Sequence, residues 1–301
     1  MNTSEVQEIK NIAIVGLGLL GASLGMSFRG KNINRMGWTR RLDVCSWAVD
    51  NNVIDESGEL EDILSRADLT ILCLPIPRIM DFIRSYKTCW RPGSIVTDIG
   101  SVKEVIVKCG EEELHPLGVH FVGSHPMAGT EKTGPHAAFE QLYDNAEVFI
   151  TQTDQVNKSA FEAVVNFWES IRTKVVQISL KEHDILVAHT SHISHVLALS
   201  LTEAVLDCPE SERKLRFSGC ATGFRDTSRI TSSPPQMWRE IIENNQPAVL
   251  EVVKEFEKRW SHLCELIENK NYDQLQAEFS KGKKLRDGWI DYKNHEHGCN
   301  W

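Results

Sequence analysis

Asn11-Ile-Ala-Ile-Val-Gly-Leu-Gly-Leu-Leu-Gly21 is the stretch that decides the fold. A short β-branched run enters three glycines, Gly16, Gly18 and Gly21, and a small-residue helical pattern follows to about residue 29. Glycines at this spacing permit a tight turn, close approach of backbone to a pyrophosphate, and close contact between strand and helix. The helix N-terminus then adds unpaired N–H groups and positive potential. A lone match of this kind is weak, and its surroundings strengthen it. Apolar runs recur at 36–38, 69–74, 95–97, 119–122 and 148–150, with amphipathic segments at 41–51, 60–67 and 78–86 between them. Strands alternating with helices imply parallel βαβ units with ligands at the carboxyl ends of the strands. The predicted nucleotide contacts are Gly16, Gly18, Leu19, Leu20 and Gly21.

The second strand of such a fold ends in an acidic residue when the ribose carries a free 2′-hydroxyl. Here Thr39 stands where that acid is expected, followed by Arg40 and Arg41. A hydroxyl and two guanidinium groups suit a 2′-phosphate, because guanidinium makes charge-assisted, often bidentate bonds to phosphate oxygens. The sequence therefore predicts NADP in preference to NAD, with NAD still possible. Two arginines on a solvated turn are the alternative.

After about residue 155 the character changes. The segment 158–171 is helical in period, 174–178 is one more strand, and long helical patterns follow at 180–206, 234–243, 246–269 and 271–286. The chain is therefore expected to hold a dinucleotide-binding domain over 1–178, a helical domain over 179–290 and a flexible tail over 291–301. A length of 301 residues with 41% apolar residues is enough for two such cores. The formal net charge of −9 argues against a nucleic-acid partner, so a small anionic substrate needs a local basic pocket. No apolar stretch is expected to span a bilayer, and 1–10 lacks a signal-peptide core. Eight scattered cysteines without CxxC spacing read as reduced thiols, pointing to the cytoplasm.

The second informative stretch is Gly123-Ser-His-Pro-Met-Ala-Gly-Thr-Glu-Lys-Thr-Gly134. It follows an apolar run and is predicted to be a loop delivered by a strand. Pro126 disfavours helix at His125, and a histidine held this way can exchange a proton near neutral pH. An incidental loop histidine is the plainer alternative. Arg225 and Arg229 are four apart, on one face if helical, and either can instead form a structural ion pair. His189, His192 and His195 recur every three residues along one side of a helix, yet no cysteine or acidic cluster completes a metal site.

Five ordered motifs now resemble the prephenate/arogenate dehydrogenase family of tyrosine biosynthesis. They are GLGLLGASL at 16–24, DIGSVK at 98–103, GSHPMAGTEKTG at 123–134, the histidine run at 183–195, and GFRDTSRITSSPPQMW at 223–238. The resemblance spans about residues 11–285. It implies an N-terminal Rossmann-like dinucleotide-binding domain plus an all-α C-terminal dimerisation domain, and hence a homodimer. The implied reaction is oxidative decarboxylation of a cyclohexadienyl substrate, with hydride passing to the nicotinamide.

By the same resemblance His125 accepts the proton of the substrate hydroxyl, with Ser101 hydrogen-bonded nearby. Arg229 binds a substrate carboxylate, assisted by Arg225, which is able to pair with Asp226. His192 and His195 face the substrate, His183 lies near the start of its helix, and Glu131 belongs to an ionic network at the rim. His189 is expected to be packed in the core, and Trp238 to line either the pocket or the helix core. The prediction is conversion of prephenate to 4-hydroxyphenylpyruvate, with His195 as a donor to the keto-acid side chain. Arogenate dehydrogenase and a dual-specificity cyclohexadienyl dehydrogenase remain open. Two further rivals are a β-hydroxyacid dehydrogenase, disfavoured because no lysine follows Lys181 on the long helix, and a non-catalytic nucleotide-sensing module. No metal is expected; an adventitious site at 295–299 is the lesser reading of the tail.

Overall fold

Residues 11–15 alternate nothing: Ile12, Ala13, Ile14 and Val15 are all buried, as in a strand covered on both faces. A computed structural model of the chain describes residues 7–130 and 132–297. In it β1 (Asn11–Val15) is an inner strand of a five-stranded parallel sheet with β2 (Asn34–Trp38), β3 (Leu69–Leu72), β4 (Ile95–Asp98) and β5 (His120–Val122). The order is β2-β1-β3-β4-β5. The crossovers carry α1 (Leu19–Ser27), α2 (Leu42–Asp50), α3 (Leu60–Arg66), α4 (Ile76–Tyr86) and α5 (Glu104–Leu114). The strand order reverses between β1 and β3, and the carboxyl ends there form the crevice where such sheets take ligands.

The chain then leaves this sheet at Gly123. A Cβ there would lie 2.5 Å from Val107 Cγ2 and 2.6 Å from Thr151 Oγ1, so only glycine lets the strand cross this closely. A second sheet follows, in the order β6-β7-β8, built from β6 (Ser124–Pro126), β7 (Glu147–Thr151) and β8 (Lys174–Ile178). β6 and β7 are antiparallel, while β7 and β8 are parallel across α6 (Lys158–Glu169). Two expectations change here. The runs at 148–150 and 174–178 do not extend the first sheet, and His125 lies on a strand rather than in a loop. Thr151 N bonds Gly123 O and Met127 N bonds Glu147 O. Bonded positions alternate in an antiparallel pair, so Pro126 falls at a position that needs no donor.

Leu180–Leu206 is one continuous helix of 27 residues, formed by α7 (Leu180–Val187), a π turn (Ala188–His192) and α8 (Ile193–Leu206). Ser179 and Glu182 close a reciprocal capping box at its start. Its best window has mean hydropathy 1.3, so this helix is long and apolar enough to cross a membrane by length and composition. That corrects the sequence expectation that no apolar stretch is long enough to span a bilayer. Buried Asp184 and His192 on this helix bond to neighbouring elements of the protein, as core-helix residues do. α9 (Glu210–Gly219), α10 (Thr222–Ser228), a 3₁₀ turn (Arg229–Ser232) and α11 (Pro235–Asn244) follow.

The chain divides into two compact units, Met1–Gln246 and Pro247–Trp301. The second unit holds α12 (Gln246–Glu268), all but its first residue, and α13 (Tyr272–His297). α13 runs on to His297 where the tail was expected to be irregular from 291. The Lys283–Asp287 ion pair one turn apart and the Arg286 guanidinium 4.9 Å from the Trp289 ring support a helix there. Cys299 lies outside the described residues.

Candidate active site

The glycine loop is shaped by what a side chain would strike. Gly16 has φ +100°, and its N–H donates to Trp38 O at 2.8 Å. A Cβ on Gly16 would sit 2.3 Å from Cys73 O, and one on Gly21 would sit 2.0 Å from Gly16 O. At Gly18, by contrast, a Cβ would meet nothing within 4 Å. That open space faces the start of α1, which has no side-chain cap, so its first N–H groups remain available. The residues therefore fit a dinucleotide pyrophosphate. Leu19 is buried in the core and Leu20 half-buried beside it. Their side chains therefore pack while their backbone serves the turn.

The end of β2 separates two residues that the sequence treated alike. The Arg41 guanidinium is held by Asp43 at 2.8 Å, both side chains being exposed. Arg40 makes no hydrogen bond or ion pair among the described residues. Thr39 is half-buried, and its carbonyl accepts from Cys45 Sγ at 3.5 Å.

A side-chain cluster starts at the end of β4. Asp98 and Lys103 are both fully buried and form an ion pair. Asp98 also accepts from Gly100 N at 2.8 Å and Ser124 N at 3.3 Å, and Lys103 Nζ donates to Ser124 O at 2.8 Å. The Ser124 hydroxyl donates to Asp98 O at 2.6 Å and accepts from Trp168 Nε1 at 3.1 Å. Burial pushes the Asp98 carboxyl up and the Lys103 ammonium down, and their mutual attraction opposes both shifts. Ser124 is thus bonded at its amide, carbonyl and hydroxyl, which fixes the backbone one residue before His125.

His125 Nδ1 lies 2.9 Å from His183 Nε2, and His183 Nδ1 lies 2.7 Å from Asp184 Oδ1. Asp184 also accepts the Lys103 and Glu104 amides, at 2.8 and 3.0 Å, at the start of α5. Burial raises the Asp184 carboxyl, but the bonds from His183 and these amides prevail and hold it below the usual carboxylate range. Burial, reinforced by His183, Lys103 and His192, holds His125 well below the usual histidine range. The His125 ring is half-buried and its Nε2 makes no hydrogen bond among the described residues. Such an imidazole is neutral at pH 7 and able to take a proton. Ser101 is half-buried, and its hydroxyl makes no hydrogen bond among the described residues; the partner of the His125 ring there is His183.

The π turn divides the histidines that a regular helix would align. His192 is buried, with Nδ1 3.2 Å from Asn245 Nδ2, and burial lowers it to about 4. His195 is half-buried, stacked on Trp238 with ring centroids 3.5 Å apart, and burial with the Arg229 charge lowers it. His189 is exposed, contrary to the expected core position, because the wider π turn rotates it away. Trp238 packs against the core, as in the helix-core reading, and its Nε1 is buried without a hydrogen-bond partner among the described residues. Arg229 is exposed and makes no hydrogen bond or ion pair among the described residues, whereas Arg225 pairs with Asp226 at 2.9 Å. Glu131 lies outside the described residues.

Sequence reasoning missed the parts played by Asp98, Lys103, His183, Asp184 and Asn245. A buried-seeming Asp and Lys flanking Ile-Gly-Ser-Val was the available signal. Nothing local marks Asn245, which donates to Asp184 O at 2.8 Å from the far end of α11.

Two family models match the chain. One described as prephenate dehydrogenase, nucleotide-binding domain, covers residues 28–177. The other, described as prephenate dehydrogenase, dimerization domain, covers 179–281. The chain is 30% identical over 280 residues to a cyclohexadienyl dehydrogenase of Zymomonas mobilis, covering 92% of this chain and 95% of that one. Its fold matches a crystal structure of prephenate dehydrogenase from A. aeolicus in complex with hydroxyphenyl propionate and NAD+, at TM-score 0.86 and 31% identity. That match covers 95% of this chain and 100% of the other. It also matches Synechocystis arogenate dehydrogenase at TM-score 0.83 and 29% identity, over 93% and 100% of the two chains.

Proposed function

Because this chain belongs to the prephenate dehydrogenase family, dehydrogenases that use a nicotinamide dinucleotide, we propose that it converts prephenate to 4-hydroxyphenylpyruvate with NADP. The observation that carries the reading is a neutral His125 whose Nδ1 is bonded to His183 and whose Nε2 has no hydrogen bond among the described residues. Gly16, Gly18 and Gly21 with the start of α1 hold the pyrophosphate, and Thr39 and Arg40 meet the 2′-phosphate. Arg41, spent on Asp43, is the lesser contact. The bound nicotinamide supplies the hydride acceptor. His125 Nε2 takes the proton of the ring hydroxyl as the ring carbon is oxidised. Loss of the ring carboxylate as carbon dioxide leaves a phenolate, to which His125 returns the proton, so no net proton is released. Arg229 binds a substrate carboxylate, with Ser101, His192, Arg225 and Glu131 in supporting positions around the ring. We assign these functions to domains at 1–178 and 179–290.

Charge supports prephenate over arogenate. Asp98 is engaged with Lys103, Asp184 with His183 and Asp226 with Arg225, so none of these three carboxylates is left for an ammonium. One observation favours arogenate instead. His195 Nδ1 lies 3.2 Å from Ser191 O, which can only accept; a neutral His195 therefore offers a lone pair at Nε2, not the donor a keto group needs. Steady-state kinetics with prephenate and arogenate, each with NADP and NAD, decide the matter. Higher kcat/KM for prephenate with NADP is expected, and equal or better values with arogenate or NAD overturn that part of the reading.

The match to a dimerisation domain supports a homodimer, and Leu199, Leu201, Leu215 and Phe217 expose apolar surface on α8 and α9 for it. The seven described cysteines are free thiols, which fits a reducing cytoplasm.

A further inference from the structure

We propose that His183 and Asp184 are positioning residues that fix the tautomer of His125, so that Nε2 and not Nδ1 is its proton acceptor. The inference rests on His125 being the base, and it adds what makes one nitrogen of that ring available. It follows from counting donors along three side chains. Asp184 already accepts two backbone amides, Lys103 N on Oδ1 and Glu104 N on Oδ2, so its carboxylate is ionised and has only acceptors to offer. His183 Nδ1, 2.7 Å away, must therefore carry a hydrogen. A neutral His183 then has its lone pair at Nε2. That nitrogen lies 2.9 Å from His125 Nδ1, which must supply the hydrogen of that bond. A neutral His125 is left with a bare Nε2 on its half-exposed side.

The anchor at each end is rigid. Asp184 is locked to the start of α5 and sits on a helix opened by a capping box. His125 follows Ser124, which Asp98 and Lys103 hold by backbone and side chain. The titratable groups facing the two rings are Lys103 and Asp98 from the β4–α5 segment, Asp184 from α7 and His192 from the π turn. Phe149 covers His183 edge-on at 5.8 Å, and His183 is fully buried, so no water competes for its Nε2. Once His125 takes up a proton, both of its nitrogens carry hydrogens. The Nδ1–H then points to a neutral ring whose far side meets the Asp184 charge, which favours the protonated state.

The test uses the full chain with ¹⁵N-labelled histidine and two variants, His183→Phe and His183→Gln. Ring ¹⁵N shifts, with the His125 signals identified by their loss in His125→Asn, read the tautomer without substrate. The wild type is expected to show His125 protonated at Nδ1 and bare at Nε2. Phenylalanine fills the space but offers no acceptor, so His183→Phe should lose this preference and about 10²-fold in kcat, with KM within about threefold. Glutamine can accept through Oε1 and should restore the tautomer and bring kcat back to within about tenfold of wild type. His125 protonated at Nε2 in the wild type overturns the proposal. So does a His183→Gln enzyme no better than His183→Phe, because a purely structural role gives that result. If neither prephenate nor arogenate is turned over while the ring shifts are as expected, the reaction assignment fails and the positioning role stands.

Discussion

The glycine loop and the His125 cluster follow the carboxyl ends of strands of the first sheet, yet they are built from opposite materials. The loop works through backbone, and its side chains are absent where space is needed: 2.0 Å and 2.3 Å separate would-be Cβ atoms from neighbouring oxygens at Gly21 and Gly16. The cluster works through side chains drawn from β4, the β4–α5 segment, β6 and α7. His125 and His183 are 58 residues apart, and Asp184 and the Lys103 amide are 81 apart. A backbone site of this kind is a local property, whereas a side-chain site is a property of the assembled fold. Substitutions should therefore act differently in the two, and the contrast can be broken by experiment.

The largest effect is expected at His125. His125→Asn should lower kcat by about 10²–10⁴-fold while leaving the nucleotide Kd unchanged. Turnover near the wild-type value would remove the cluster's claim to the chemistry. Next comes Lys103→Met, which leaves the Asp98 carboxylate buried and unpaired and should cost about 3–5 kcal/mol in denaturant unfolding. Adding Asp98→Asn should recover much of that loss; if it does not, the pair is not what holds Ser124.

The cluster should also make stability depend on pH through His192. Its folded value of about 4 lies below the ordinary 6.5, so the unfolded chain takes up the proton first. Stability present above pH 6.5 should then fall by about 3 kcal/mol as pH drops to 4. Replacing His192 by Phe should flatten that slope in urea titrations at stepped pH, and an unchanged slope would assign it elsewhere.

Smaller effects are expected in the loop, and they should split by position. Gly21→Ala drives a Cβ into Gly16 O and should cost about 2 kcal/mol of stability. Gly18→Ala should leave stability within about 0.5 kcal/mol but weaken nucleotide binding about tenfold, because its Cβ enters ligand space. Equal stability losses at the two positions would mean that Gly18 is structural. Last, Arg40→Ala should raise the KM for NADP about fivefold and Arg41→Ala about twofold, with NAD unaffected in both. The reverse order would show that the Asp43 pairing gives way to the cofactor.

How much was legible follows the same division. β1, the glycine turn and α1 were readable because a run of four buried residues and three glycines carry their meaning within eleven positions. The strand at 148–150 was readable as a strand but not as a member of a second sheet, since the switch rests on a close crossing at Gly123. The histidines at 189, 192 and 195 share one side of a regular helix, and the expected core place of His189 fails because the helix is not regular there. A π turn, which no residue in the stretch announces, sends one to solvent, one into the core and one onto Trp238.

From the sequence alone came the family, the nucleotide fold, the helical second half and His125 as the residue to watch. These depend on local spacing and on ordered motifs, which survive without coordinates. Only the tertiary structure decided that Arg41 is held by Asp43 while Arg40 has no partner among the described residues, and that His183 bonds to His125 with Asp184 behind it. Each of those is a matter of which donor reaches which acceptor. Hydrogen bonds form over about 3 Å, and chain order says little about distances on that scale between residues dozens of positions apart.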